Sequence, residues 1–269
     1  MSILCIFSIC KNEFYNDYYS AYKIQENICK QKGYDCILLE NNIKGINNVW
    51  IERFCTLLSI NDNLLDKYDY YVILDIDIIL NINCTEYKKK VLKLKNYLNE
   101  NKNYNIKDKF VLSYFSIIDL KNNEGSYIRF CHICFSQKYF KFFIKQLKNE
   151  LKNKSDIMIS LDRANKYYEF IDRIAKWSCE DEKLMAYHLI KYKTLNIFSF
   201  DTNNIFKSCF LNISDKTFTE DFNKIPPVTD IIHIAFLEIS KNKEKYYTYD
   251  FNKLLNKRKN KRKNFFKKM

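Results

Sequence analysis

Glycine occurs three times and proline twice in this 269-residue chain. A glycine-rich phosphate loop needs several glycines close together, so that backbone N–H groups can approach the phosphate. No such cluster exists here. This argues against a dinucleotide-binding Rossmann enzyme and against a P-loop kinase. Any diphosphate has to be held by a metal and by Lys or Arg side chains instead. With glycine scarce, asparagine takes over the turns. No apolar run approaches the ~20 residues of a membrane-spanning helix. The opening "MSILCIFSIC" lacks the basic flank and cleavage site of a signal peptide.

Arginine is also rare, with six residues, so lysine supplies most of the net charge of +13. That charge is uneven. Residues 253–269 hold nine basic side chains and no acid, which leaves +4 for residues 1–252. The ten cysteines are scattered, many of them in apolar runs where free Cys behaves as a small core residue. Cys131 and Cys134 in "CHIC" have metal-like spacing but no second pair, so a buried strand is the expectation there. A chain that is 47% hydrophobic and 16% aromatic can bury a substantial core. These features predict a reduced, cytoplasmic protein.

The pattern then reads as alternating elements. "SILCIFSIC" is a short buried strand, and a helix from Tyr15 to Lys32 stops at Gly33. "DCILLE" is a second strand, "VWIERFCTLLSINDNLL" a second helix, and "DYYVILDIDIIL" a third strand. Near-continuous apolar strands alternating with helices predict an α/β fold with a mostly parallel, Rossmann-like sheet covered on both faces. Further strands are expected in "KFVLSYFSI", "SYIRFCHICFS", "LNIFSF" and "DIIHIAF". Helices are expected near 137–151, 164–176 and 180–190. Residues 1–252 read as one domain. Residues 253–269 form a basic tail.

The third strand carries Asp75 and Asp77 in an otherwise apolar, β-branched run. Alternation along a strand puts residues two apart on one face. Two carboxylates ~5 Å apart repel by roughly 3 kcal/mol at an effective dielectric of 20. A divalent cation between them turns that repulsion into binding. In α/β sheets ligands bind beyond the carboxyl ends of the strands. Asp75, Asp77, residues 8–11 and Glu40 all fall at such ends.

Here the chain resembles nucleotide-sugar glycosyltransferases of the GT-A fold. The likeness runs through "IFSICKNEFYND", "YKIQENICKQKGYDCILLE" and "WIERFCTLLSINDNLLDKYDYYVILDIDI". These are similar to the amino-terminal halves of galactosyl/mannosyltransferases and glycogenin-like enzymes. The resemblance covers about the first 85 residues well, and implies a nucleotide-sugar-binding half over 1–85 and an acceptor half over 86–252. Downstream, "WSCEDEKLMAYHL" looks like the helix start that brings an acidic or amide group to the transferred sugar. "IIHIAF" is similar to the late strand that supplies a histidine ligand, although Phe236 stands where glycine is usual.

The resemblance implies metal-dependent transfer of a sugar from a UDP- or GDP-linked donor to a glycan or glycolipid acceptor. Mn²⁺ or Mg²⁺ suits carboxylate and phosphate ligands. Asp75, Asp77 and His233 are its expected ligands, with a core role as the alternative for His233. Ser8, Cys10, Lys11 and Glu40 are expected around the nucleotide. Arg53 is expected at the diphosphate, or in an ordinary ion pair. Asp181 or Glu180, with Glu182 as neighbour, is expected at the reacting sugar, and the resemblance leans towards retention of configuration over inversion. Two rivals have weaker support. A sugar nucleotidyltransferase wants a glycine-bearing loop after strand one, and a nucleic-acid-binding protein wants basic and aromatic residues interleaved on one face. No nucleic acid is therefore expected. The tail, with Leu254, Leu255, Phe265 and Phe266 among its cations, reads either as a peripheral anchor for anionic membrane or as a lysine-rich end.

Overall fold

The computed structural model describes residues 2–10, 15–102, 108, 110–113, 117–119, 124–127, 132–169, 179–192, 197–199, 205–211 and 229–234. The basic tail, Lys11 and Cys131 lie outside the described residues. The chain opens as β1 (Ile3–Ile9), α1 (Tyr15–Lys32) and β2 (Asp35–Glu40). Gly33 ends α1 at φ 77°. Its N–H donates to Lys30 O (3.2 Å) and that of Tyr34 to Cys29 O (2.9 Å). This pair of bonds satisfies the last helical carbonyls and requires a residue that tolerates positive φ.

Helix α2 (Val49–Cys55) is capped by Asn48, whose side chain accepts from the N–H groups of Trp50 and Ile51. The long second helix expected from the sequence stops at Cys55 and gives way to two short 3₁₀ turns, Thr56–Ser59 and Asp62–Leu64. Thr56 hydroxyl bonds back to Arg53 O at 2.8 Å, and Asn61 caps the second turn. Such side-chain competition for backbone groups is why Ser, Thr and Asn runs interrupt helices.

Strand β3 (Tyr70–Leu74) and β4 (Ile78–Leu80) follow, then α3 (Cys84–Lys102). Next come β5 (Val111–Ser113), β6 (Ile117–Asp119), β7 (Glu124–Tyr127) and β8 (His132–Ser136). Helices α4 (Gln137–Glu150), α5 (Lys154–Glu169) and α6 (Glu180–Lys191) precede β9 (Ile197–Ser199), β10 (Ser208–Leu211) and β11 (Ile231–Ile234). Strand β10 was not evident in the sequence, and α5 begins ten residues before the helix expected at Ala164. "CHIC" lies largely in β8, where Cys134 is fully buried, as a core strand requires.

The main sheet has the order β2-β1-β3-β8-β5-β9. Strands β2, β1 and β3 pair in parallel, β8 runs antiparallel to both neighbours, and β5 pairs with β9 in parallel. Five strands therefore point one way and β8 opposes them. Alternate residues of each strand feed two cores. Cys5, Phe7, Val72 and Leu74 pack with Tyr87 and Val91 of α3 on one face. Leu4, Ile6, Tyr71 and Ile73 pack with Phe54 of α2 and Phe140 of α4 on the other. Burying each of these large side chains contributes about 1.5–3 kcal/mol, which makes the sheet a rigid platform for its edge.

The run expected as one strand from 69 to 80 is two strands in different sheets. β3 ends at Leu74, and Ile78 N–H closes a turn onto Asp75 O at 3.1 Å. Ile78–Leu80 then pair antiparallel with β11 in a small sheet of order β10-β11-β4. Asp75 and Asp77 thus sit in the turn between sheets, not on one face of a strand. The apolar, β-branched character of the run is the same on both sides of the turn, so periodicity alone could not locate the break.

Candidate active site at the carboxyl edge of the sheet

The ends of β1, β2 and β3 lie side by side, with Ile9 in register with Glu40 and Phe7 with Leu74. Asp75 therefore leaves the sheet beside the last residues of β1. Helix α2 is fastened over this edge by two contacts. Ser8 Oγ lies 2.7 Å from Thr56 Oγ1, and Cys10 Sγ donates to Val49 O at 3.1 Å. Burial, helped by the nearby Glu52 carboxylate, pushes the Cys10 thiol up to about 12, so it stays protonated and keeps that bond. Ser8 and Cys10 accordingly hold α2 in place at the edge where nucleotide contacts were expected. Thr56, the partner of Ser8, was not singled out from the sequence.

Fastening α2 places Arg53, which is only 8% exposed, over the turn. Its Nη2 lies 2.6 Å from Asp75 Oδ1, and its Nη1 lies 3.2 Å from Asp181 Oδ2. One guanidinium thus bridges a carboxylate of the β3–β4 turn to a carboxylate at the start of α6. Its planar fork suits this, because two donors diverge from one rigid group. Asp181 is 1% exposed. Burial pushes its carboxyl up to about 7, against the pull of Arg53; Glu182 and Asp75 add to the upward shift. The Asp181 Oδ1 also accepts from Glu182 N–H at 2.8 Å.

The three acids at the start of α6 separate into distinct situations. Glu182 accepts from Cys179 N–H at 3.3 Å and so caps its own helix. Asp181 is enclosed under Arg53, whereas Glu180 is half-buried. Asp77 is buried to 4% exposure. The backbone of the turn around it is gripped from α1: Gln25 Nε2 donates to Ile76 O (2.8 Å) and to Ile78 O (3.0 Å). Gln25 was not singled out from the sequence, although a glutamine sitting at helical spacing among Ala21, Ile28 and Cys29 was a visible signal.

His233 lies in β11 with its backbone opposite Ile78, the residue that follows Asp77. Its side chain lies outside the described residues, as does all of Lys11. Among the described residues, no group of three or more His, Cys, Asp or Glu is arranged to hold a metal. Two carboxylates in one turn remain, a hard oxygen pair. That donor set fits Mg²⁺ or Mn²⁺, which take one or two protein carboxylates and complete their shell with substrate phosphates and water.

Fold and edge together define an α/β protein with a mostly parallel main sheet. No family model matches the chain, and no curated protein matches it. Among solved structures, it is similar to a glycosyltransferase involved in glycosylation of the major capsid of PBCV-1, at 12% identity and a TM-score of 0.44, over 87% of this chain and 93% of that one. It is also similar to mouse xyloside xylosyltransferase 1 in its apo form, at 7% identity and a TM-score of 0.41, over 88% and 99%. A third likeness is to a Drosophila β1,4-galactosyltransferase 7 mutant in complex with manganese, UDP-Gal and xylobiose, at 13% identity and a TM-score of 0.30. It spans 53% of this chain and 52% of that one.

Proposed function

We propose that this protein is a metal-dependent glycosyltransferase that moves a sugar from a nucleotide-sugar donor to a glycan or glycolipid acceptor. One observation carries the reading: Arg53 joins Asp75 of the turn to Asp181 of α6, at the carboxyl edge of a sheet with no glycine-rich phosphate loop. A diphosphate arriving there meets a cation already held in place, which lowers the cost of orienting it. Asp75 and Asp77 would hold Mn²⁺ or Mg²⁺. When bound, the ion supplies Lewis-acid neutralisation of the diphosphate leaving group.

In this reading Arg53 aligns the diphosphate with its planar fork. Asp181 is enclosed, so it acts through Arg53 by fixing the plane of the guanidinium. Glu180, half-buried at the same helix start, would be the carboxylate that meets the sugar or the acceptor hydroxyl. Inversion requires one carboxylate as general base for that hydroxyl. Asp181 is shut away from an acceptor and Glu180 is open to that role, so the lean towards retention rests on the sequence resemblance alone. Glu40, Ser8 and Cys10 would line the nucleotide side, with Lys11 proposed there on the sequence alone, and His233, beside Ile78 in register, is the candidate third ligand.

Incubation with Mn²⁺ and a panel of nucleotide sugars, with donor hydrolysis as the readout, tests the reading. Hydrolysis of one donor that EDTA abolishes is expected. Mn²⁺ should raise the melting temperature of the wild type and not of Asp77→Ala, because a ligand that binds only the folded state shifts unfolding by mass action. Equal Mn²⁺ stabilisation of both proteins, with no donor hydrolysed, would falsify the assignment.

A further inference from the structure

Gln25 occupies a place in α1 that the apolar pattern reserves for a core side chain. Ala21, Ile28 and Cys29, one turn to either side of it, are all buried, and Gln25 itself is 1% exposed. A primary amide sealed in a core is destabilising unless its hydrogen-bonding groups are satisfied. Both hydrogens of this amide are spent on one short segment, at 2.8 Å to Ile76 O and 3.0 Å to Ile78 O. Because both partners are carbonyls, the nitrogen must face them, so the orientation of the amide is fixed by chemistry. The two carbonyls flank Asp77 in sequence, and the turn's own closing bond runs from Ile78 N–H to Asp75 O.

We infer that Gln25 is a positioning residue that sets the backbone of the Asp75–Asp77 turn and so presents these carboxylates to a divalent cation. The inference rests on the reading of Asp75 and Asp77 as the metal-holding pair. Two bonds from one rigid amide fix the Ile76–Asp77 peptide unit and the Ile78–Ile79 peptide unit, which bracket Asp77. A single bond would leave that segment free to pivot. The anchor stands on a helix packed against the sheet, and a site built on such an element holds its geometry better than one built on a loop alone.

The test measures the Mn²⁺ concentration that gives half of the maximal rise in melting temperature, for wild type, Gln25→Met, Gln25→Glu and Ile28→Ala. Gln25→Met keeps the length of the side chain and removes both donors. It should need at least tenfold more Mn²⁺ than wild type. Ile28→Ala, a core deletion one turn away that removes no hydrogen bond to the turn, should lower the metal-free melting temperature and keep the wild-type Mn²⁺ requirement.

Should Gln25→Met not fold, Gln25→Glu provides the same readout with the native volume. A carboxylate donates nothing to two carbonyls, and its protonated form donates once. The Mn²⁺ requirement of Gln25→Glu relative to wild type should therefore be largest at pH 8 and shrink towards pH 6. A Gln25 variant with the wild-type Mn²⁺ requirement, or an Ile28→Ala requirement raised as much as that of Gln25→Met, overturns the positioning role. Absence of any Mn²⁺ shift in the wild type itself overturns the metal-site reading, and the inference with it.

Discussion

Replacing Asp181 with Asn should remove a specific pH dependence from the stability of this protein. The Asp181 carboxyl ordinarily titrates at 3.8 and is pushed by burial to about 7 in the folded chain. Between those values the folded protein holds a proton that the unfolded chain has already released. Stability from this residue is therefore fully present below pH 4 and is lost as pH rises through about 7. The interval of about 3 pH units, at about 1.4 kcal/mol each, corresponds to about 4 kcal/mol. The asparagine side chain does not titrate, and its amide oxygen still offers Arg53 an acceptor. The stability of Asp181→Asn minus that of wild type should consequently rise by about 4 kcal/mol from pH 4 to pH 8, and level off above that. Urea denaturation at half-unit pH intervals, in EDTA, measures this difference. Taking the difference cancels the groups that titrate independently of Asp181. A difference that stays flat from pH 4 to 8 would refute the enclosed, proton-holding Asp181 and with it the assignment of its role.

Arg53→Met should destabilise the protein by about 3 kcal/mol at pH 8, the usual cost of removing one partner of a buried ion pair. The loss should be smaller at pH 5, where a protonated Asp181 no longer needs the cation; equal losses at the two pH values would contradict the bridge. His132 and His188 give the opposite signature to Asp181. Both are fully enclosed, one against Tyr87 and the other between Ser160 and Tyr192, and burial pushes each down to about 3 from 6.5. Their neutral forms stabilise the fold above pH 6.5, and that contribution is lost as pH falls from there towards 3. His188→Gln should therefore flatten the acid side of the stability profile by about 1.4 kcal/mol per pH unit in that window. An unchanged acid slope would show that His188 is protonated without unfolding.

Much of the first half of this fold is written locally. β1, α1 and β2 follow from apolar periodicity and from Gly33, because a helix stop and a short buried strand depend on residues close in sequence. The presence of Asp75 and Asp77 at a strand end was legible for the same reason, since charge stands out in an apolar run. What those residues do to the chain was not legible. The turn at Asp75–Ile78 depends on β4 finding β11 in a second sheet, and β8 reaches its place between β3 and β5 by reversing direction. Neither event alters the local pattern of hydrophobic residues, because a strand buried on both faces reads the same whichever neighbour it pairs with. The meeting of Arg53 with Asp181 and the grip of Gln25 on the turn are likewise products of packing. Sequence supplied the residue types, and only the tertiary structure decided which of these buried polar groups satisfy one another, because a buried group's partner is set by where distant elements dock.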